Sequence, residues 1–114
     1  MDCIFCRIAR GELPAKLVAE NDVAVAFDDI HPQAPVHVLV IPRAHIATHA
    51  DATDADAALL GRLSLLVRDV AVKKGIADAG YRVITNVRKM GGQEVFHLHM
   101  HVLGGRPLGR MLGS

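Results

Sequence analysis

The sequence predicts an α+β fold, a largely antiparallel sheet built around one main helix. Three observations carry that expectation. His97-Leu98-His99-Met100-His101-Val102-Leu103 alternates histidine with apolar residues, the period-2 pattern of a half-buried strand. Leu59, Leu60, Leu63, Leu66, Val67 and Val70 recur at helical spacing. Short apolar runs bounded by Asn, Pro and Gly fill most of the remainder, as strands and turns do.

The elements follow in order. Residues 4–10 can form a short helical turn, stopped by Gly11 and then Pro14. Residues 16–20 and 23–28 read as two strands joined at Asn21-Asp22, a turn-forming pair. Two prolines make residues 29–35 a loop. Residues 36–41 form a third strand, ended by Pro42. Thr53 is the N-cap expected for a helix over 54–74, with Asp54 and Asp56 in its first turn, where carboxylates suit the helix dipole. Gly75 ends it. Residues 81–87 form a fourth strand, Met90-Gly91-Gly92-Gln93 a turn, and residues 95–103 a fifth strand. Strands four and five read as a hairpin with a long connection.

Composition narrows the function classes. A chain of 114 residues is expected to be one domain, residues 1–114. Aromatic content is 4% with no Trp, so its core must be aliphatic. A formal net charge of +1 argues against a nucleic-acid surface. No apolar run approaches the roughly 18–20 residues that span a bilayer. Asp2, Arg7 and Arg10 interrupt any signal peptide. The expectation is a cytoplasmic protein with neither nucleic acid nor membrane as partner.

The histidine row carries the chemistry. On a strand, His97, His99 and His101 share one face, and next-but-one residues lie roughly 6.6 Å apart. Leu98, Met100 and Val102 take the other face. Three imidazoles in a row supply a nucleophile, proton carriers and donors near neutral pH. A lone strand histidine is usually structural; three on one face of an apolar strand would repel if charged, which favours a site. On the third strand His37, Leu39 and Ile41 oppose Val36, Val38 and Val40. If that strand pairs beside the fifth, His37 can hydrogen-bond to one of the rings and fix its tautomer. Gly91-Gly92-Gln93 just before the row can present backbone N–H groups to an anion.

Two cysteines, Cys3 and Cys6, form a C-x-x-C pair. In a reducing compartment this spacing indicates metal or redox work. A redox site of the thioredoxin type would need a preceding strand, and only two residues precede the pair.

The chain resembles the histidine triad nucleotide-binding proteins, and within them the Hint branch, most like its bacterial members. The residues that carry the resemblance are His97 to Leu103, Asp2-Cys3-Ile4-Phe5-Cys6, Phe27-Asp28-Asp29-Ile30-His31-Pro32-Gln33-Ala34-Pro35, His37-Val38-Leu39-Val40-Ile41-Pro42, Gly91-Gly92-Gln93-Glu94-Val95 and Gly104-Gly105-Arg106-Pro107. They stand in collinear order over nearly the whole chain. The resemblance implies a five-stranded antiparallel sheet with one long and one short helix, paired into a homodimer with a continuous sheet. It implies hydrolysis of purine nucleoside phosphoramidates and aminoacyl-adenylates, releasing AMP or GMP without Mg²⁺.

Residue by residue, the resemblance makes His99 the nucleophile. His37 would orient it, His101 would contact phosphoryl oxygens, and His97 would handle protons near the leaving group or join the supporting network. Asp29 would bind the ribose hydroxyls. Asn86, Gly92, Gln93, Glu94 and Val95 would line the phosphate end. Ile4, Phe5, Ile8, Phe27, Ile30 and Leu39 would form the slot for the base. Some members with the cysteine pair complete a structural Zn²⁺ site with two histidines, here His45 and His97, beside Cys3 and Cys6; otherwise the pair would be two small buried thiols. His31 and His49 are expected at the surface. At position 94 animal members carry a Ser that can donate to the leaving group, which the ionised Glu94 cannot do. The chain stops soon after Leu108, so leaving-group selection by a longer tail is not implied. Two alternatives share these residues: a dinucleoside polyphosphate hydrolase, and a zinc-stabilised nucleotide-binding module with little turnover.

Overall fold

The computed structural model describes residues 3–113, so Asp2 of the N-terminal block lies outside the described residues. The elements are α1 (Ile4–Ala9), β1 (Leu17–Glu20), β2 (Ala24–Asp28), β3 (Val36–Pro42), α2 (Ala57–Lys73), β4 (Arg82–Ile84) and β5 (Met100–Gly104). The strands form one antiparallel five-stranded sheet in the order β1-β2-β3-β5-β4. This is the α+β class that the two periodicities predict.

Local chemistry sets the boundaries. The Asn21 side-chain oxygen accepts from the backbone N–H groups of Val23 (2.9 Å) and Ala24 (2.8 Å), which closes the β1–β2 turn. Before α2 the chain makes a short 3₁₀ turn, Asp54–Asp56, in which the Asp56 carboxylate accepts from the Thr53 N–H at 2.9 Å. The α-helix therefore starts at Ala57, three residues later than expected. Gly75 takes a φ of +73°, a conformation glycine adopts without strain, and the helix stops there.

The sheet has two covered faces. On one, Ala24 and Ala26 of β2, Val38 and Val40 of β3 and Val102 of β5 pack with Leu63, Leu66, Val67 and Val70 of α2. Small residues on β2 allow the helix to approach. On the other face Val25, Phe27, Leu39 and Ile41 pack with Phe5 and Ala9 of α1. A strand buried on both faces reads as a nearly continuous apolar run, and Val36 to Ile41 does so with one interruption, His37.

Two expected strands are shorter. The fifth begins at Met100 rather than 95, and the fourth covers 82–84 rather than 81–87. The ladder of β5 on β3 ends at Val40↔Met100. Upstream, the Leu98 N–H turns to the Ile46 carbonyl at 2.6 Å. On the other side the Thr85 hydroxyl, not a backbone N–H, donates to the His99 carbonyl at 2.9 Å. His97 and His99 thus precede β5, yet the alternation persists: Leu98 and Met100 stay on the α2 side. β4 is an edge strand with Val83 46% exposed.

Candidate active site and metal cluster

A cavity of about 750 Å³ opens on the face opposite α2. The antiparallel pairing of β3 with β5 brings Leu39 opposite His101 and His37 opposite Leu103. His37, His99 and His101 all line this cavity. So do Ile4, Phe5, Ile8, Phe27, Asp29, Ile30, Leu39, Asn86, Gly92, Glu94 and Val95, each expected from the sequence.

Two expected residues do not reach it. Gln93 is buried, but its side chain is a brace: Nε2 donates to the carbonyls of Ala47 (2.8 Å) and Val95 (3.0 Å), and Oε1 accepts from the Arg88 N–H at 2.8 Å. The His97 ring is fully buried, faces the cysteines and does not line the cavity. Its backbone carbonyl accepts from the His99 ring. Sequence reasoning missed Leu13, Pro14 and Ala15 at the apolar end, and Ile84 and Leu103 beside the histidines. The β4–β5 register would have found the last two, since Ile84 lies opposite His101. His31 and His49 are exposed as expected, and His31 also lines the cavity.

The hydrogen bonds fix the ring tautomers. The Gln33 N–H donates to His37 Nδ1 at 3.0 Å, so the His37 proton sits on Nε2. That Nε2–H donates to His101 Nδ1 at 2.9 Å, which leaves the His101 proton on its own Nε2. The chain of donors starts at a backbone amide and ends on the His101 ring. His37 therefore supports His101; it is not bonded to His99. His99 is oriented differently: its Nδ1–H donates to the His97 carbonyl at 2.7 Å, leaving Nε2 as an unprotonated lone pair. Phe5 stands edge-on to His99, ring centroids 5.2 Å apart, and to His97 at 6.0 Å.

Burial sets the charge states. It pushes the His101 imidazole down to about 4, with the His99 and His37 charges adding to the effect and Asp29 opposing it. Burial also lowers His37, again against the pull of Asp29, whose Oδ2 lies 3.5 Å from His37 Nε2. Both rings are neutral at pH 7, as the tautomer chain requires.

The second cluster lies behind the first. His97 Nε2–H donates to the Pro42 carbonyl at 2.8 Å, which turns the Nδ1 lone pair toward Cys3 Sγ (3.4 Å), Cys6 Sγ (3.5 Å) and His45 Nδ1 (3.2 Å). Cys6 Sγ lies 3.3 Å from His45 Nδ1. One ligand atom from each of Cys3, Cys6, His45 and His97 lies within 4.8 Å of every other. Two thiols and two imidazole nitrogens are the donor set of a closed tetrahedral zinc site. The bond from His97 to the Pro42 carbonyl is the outer support that metal-binding imidazoles use. The residues present fit a zinc ion. Without one, burial raises the Cys6 thiol and lowers the His97 imidazole, so both stay neutral.

Comparison with known proteins agrees with this fold. The sequence pattern of the HIT domain matches residues 10–108. The chain is 48% identical over 111 residues to the purine nucleoside phosphoramidase of Escherichia coli (strain K12), covering 97% of this chain and 93% of that protein. It is 50% identical over 107 residues to an uncharacterized HIT-like protein of Synechococcus elongatus, covering 94% and 93%. Among solved structures, a HIT family hydrolase from Legionella pneumophila superposes with a TM-score of 0.95 at 46% identity, over 98% of this chain and 100% of that one. A histidine triad protein from Clostridium difficile superposes with a TM-score of 0.93 at 43% identity, over 96% of each chain.

Proposed function

The chain belongs to the HIT domain family, and from that premise we propose that it hydrolyses purine nucleoside phosphoramidates to the nucleoside monophosphate. The observation that carries the reading is the His99 tautomer. A ring whose Nδ1–H is held by the His97 carbonyl offers an Nε2 lone pair for attack.

In this reading the base enters the apolar slot of Ile4, Phe5, Ile8, Phe27, Ile30 and Leu39, and Asp29 takes the ribose hydroxyls. Asn86, Gly92 and Val95 border the phosphate. His99 Nε2 attacks phosphorus and the P–N bond to the amine breaks. The amine takes up a proton from solvent in the open cavity as it leaves, and a nucleotidyl-histidine remains. Water then attacks phosphorus and gives its proton back to solvent, the P–N bond to His99 breaks, and AMP or GMP departs. The His101 Nε2–H, held in place by His37, donates to a phosphoryl oxygen as charge develops there. These donors do the work that Mg²⁺ does elsewhere, so the proposed reaction uses none.

A structural zinc held by Cys3, Cys6, His45 and His97 would add stability and no step. Its residues tie the start of α1, and with it Phe5, to the segment that carries His99. Among the described residues no helix is long and apolar enough to cross a membrane. Two free thiols suit a reducing cytoplasm. We further infer a homodimer joined into a continuous sheet, supported by the exposed edge of β4.

The direct test is a turnover assay on an adenosine phosphoramidate and on a dinucleoside polyphosphate. Faster cleavage of the phosphoramidate is expected. Preference for the polyphosphate would move the protein to the alternative branch, and cleavage of neither would leave it a binding module.

A further inference from the structure

We propose that Glu94 selects the leaving group by charge, favouring amines that carry an additional ammonium and repelling those that carry a carboxylate or phosphate. The inference rests on the phosphoramidase reading above. Among the described residues no lysine or arginine lines the cavity, so no cation of its own wall balances its acidic groups. The lining carboxylates differ in what occupies them. Asp28 is paired with Lys74 at 2.9 Å. Asp29 Oδ1 accepts from the His31 N–H at 2.8 Å, and Oδ2 lies beside His37 Nε2.

Glu94 is exposed and has no ion pair or side-chain hydrogen bond among the described residues. The basic residues nearest to it in its own loop do not neutralise it. The Arg88 guanidinium is held by Asp51 at 3.0 Å, and Lys89 makes no ion pair among the described residues. Glu94 stands between Gly92 and Val95 in the 86–95 segment, which also supplies Asn86 to the cavity wall, while its neighbour Val95 packs on the Phe5 cluster.

These facts have an electrostatic consequence. A bound phosphoramidate brings a negative phosphoryl group. Glu94 repels that group equally in every substrate, so the penalty does not discriminate among them. What differs is the far part of the amine. A positive charge there is attracted by an unpaired carboxylate and a negative one is repelled, each by about threefold, the size of an exposed ion pair. The same repulsion disfavours a polyphosphate chain as leaving group.

Two adenosine 5′-phosphoramidates whose amines differ only in a terminal ammonium or carboxylate test this. The readout is the ratio of their kcat/KM values. Wild-type protein is expected to favour the ammonium substrate, E94Q to cut the ratio by about tenfold, the product of the two effects, and E94D to retain it. Raising the salt should compress the wild-type ratio and leave that of E94Q flat, because exposed charges are screened. A ratio unchanged in E94Q, with both substrates turned over, overturns charge selection alone. No turnover of either substrate by wild-type protein overturns the phosphoramidase reading and this inference with it.

Discussion

At the residue scale, the three histidines of the row do three different things, although they look alike in the sequence. His99 offers Nε2, His101 offers an N–H, and His97 offers its carbonyl to His99 and its ring to the cysteines. His37→Ala should therefore act through His101. It removes the donor that fixes the His101 tautomer and leaves the His99 geometry intact. Single-turnover rates should fall by about 10- to 100-fold, a typical loss for a supporting group; a loss equal to that of His99→Ala would mean that His37 contacts the reacting atoms. The buried rings also predict acid sensitivity. His37 and His101 titrate lower in the folded chain than in the unfolded one, so between about pH 6.5 and 4 the unfolded state binds more protons. Stability should fall as the pH drops through that window, and these two rings add no pH dependence above it. Denaturant midpoints at pH 7 and pH 5 check this, and His101→Gln should fall less than wild type; an equal fall would remove His101 from the account. The shared face of the row was legible from period-2 spacing alone. The division of labour was not, because spacing says which way a ring points and nothing about which neighbours wait there.

At the element scale, the 81–95 segment is the part that the sequence described least well. The strand expected over 81–87 gives way after Ile84 because the Thr85 hydroxyl, rather than a backbone group, reaches the His99 carbonyl. The segment then folds tightly enough that a Cβ at Gly91 would lie 2.5 Å from the Val87 carbonyl oxygen. Gly91→Ala should cost about 1–3 kcal/mol and raise KM, since Gly92 and Glu94 follow directly in the cavity wall. Thermal melts and steady-state kinetics check it, and an unperturbed variant would mean the wall is free to move. For α1, metal analysis of chelator-free, reduced protein should find about one Zn²⁺ per chain, because four ligands close one tetrahedral site. Cys3→Ser with Cys6→Ser should lose the metal and melt earlier; metal near zero in the wild type would leave two packed thiols. By contrast β2, β3 and α2 stand within a few residues of their expected bounds. Each of them carries a strong periodicity, which local hydrogen bonding does not override.

At the scale of the whole molecule, the sheet separates support from chemistry. α2 covers one face with aliphatic side chains, and the other face carries α1, the metal cluster and the cavity. The sheet ends at two edges, β1 and β4, and at β4 Val83 is half exposed. Light scattering at low micromolar concentration should give a dimer, and a fully active monomer would contradict the continuous sheet. Arg106, which follows β5 directly, contacts the Gln33 carbonyl of its own chain at 3.3 Å. Partner geometry was beyond reach of the sequence, because an edge strand announces that it needs covering and not what covers it. The chemistry depends most directly on His99 Nε2. Wild-type protein mixed with an adenosine phosphoramidate, quenched within one turnover and digested for mass spectrometry, should carry a nucleoside monophosphoryl group on the peptide containing His99. His99→Asn should carry none and should turn over several orders of magnitude more slowly. An adduct on another residue, or wild-type rates in His99→Asn, would contradict the account.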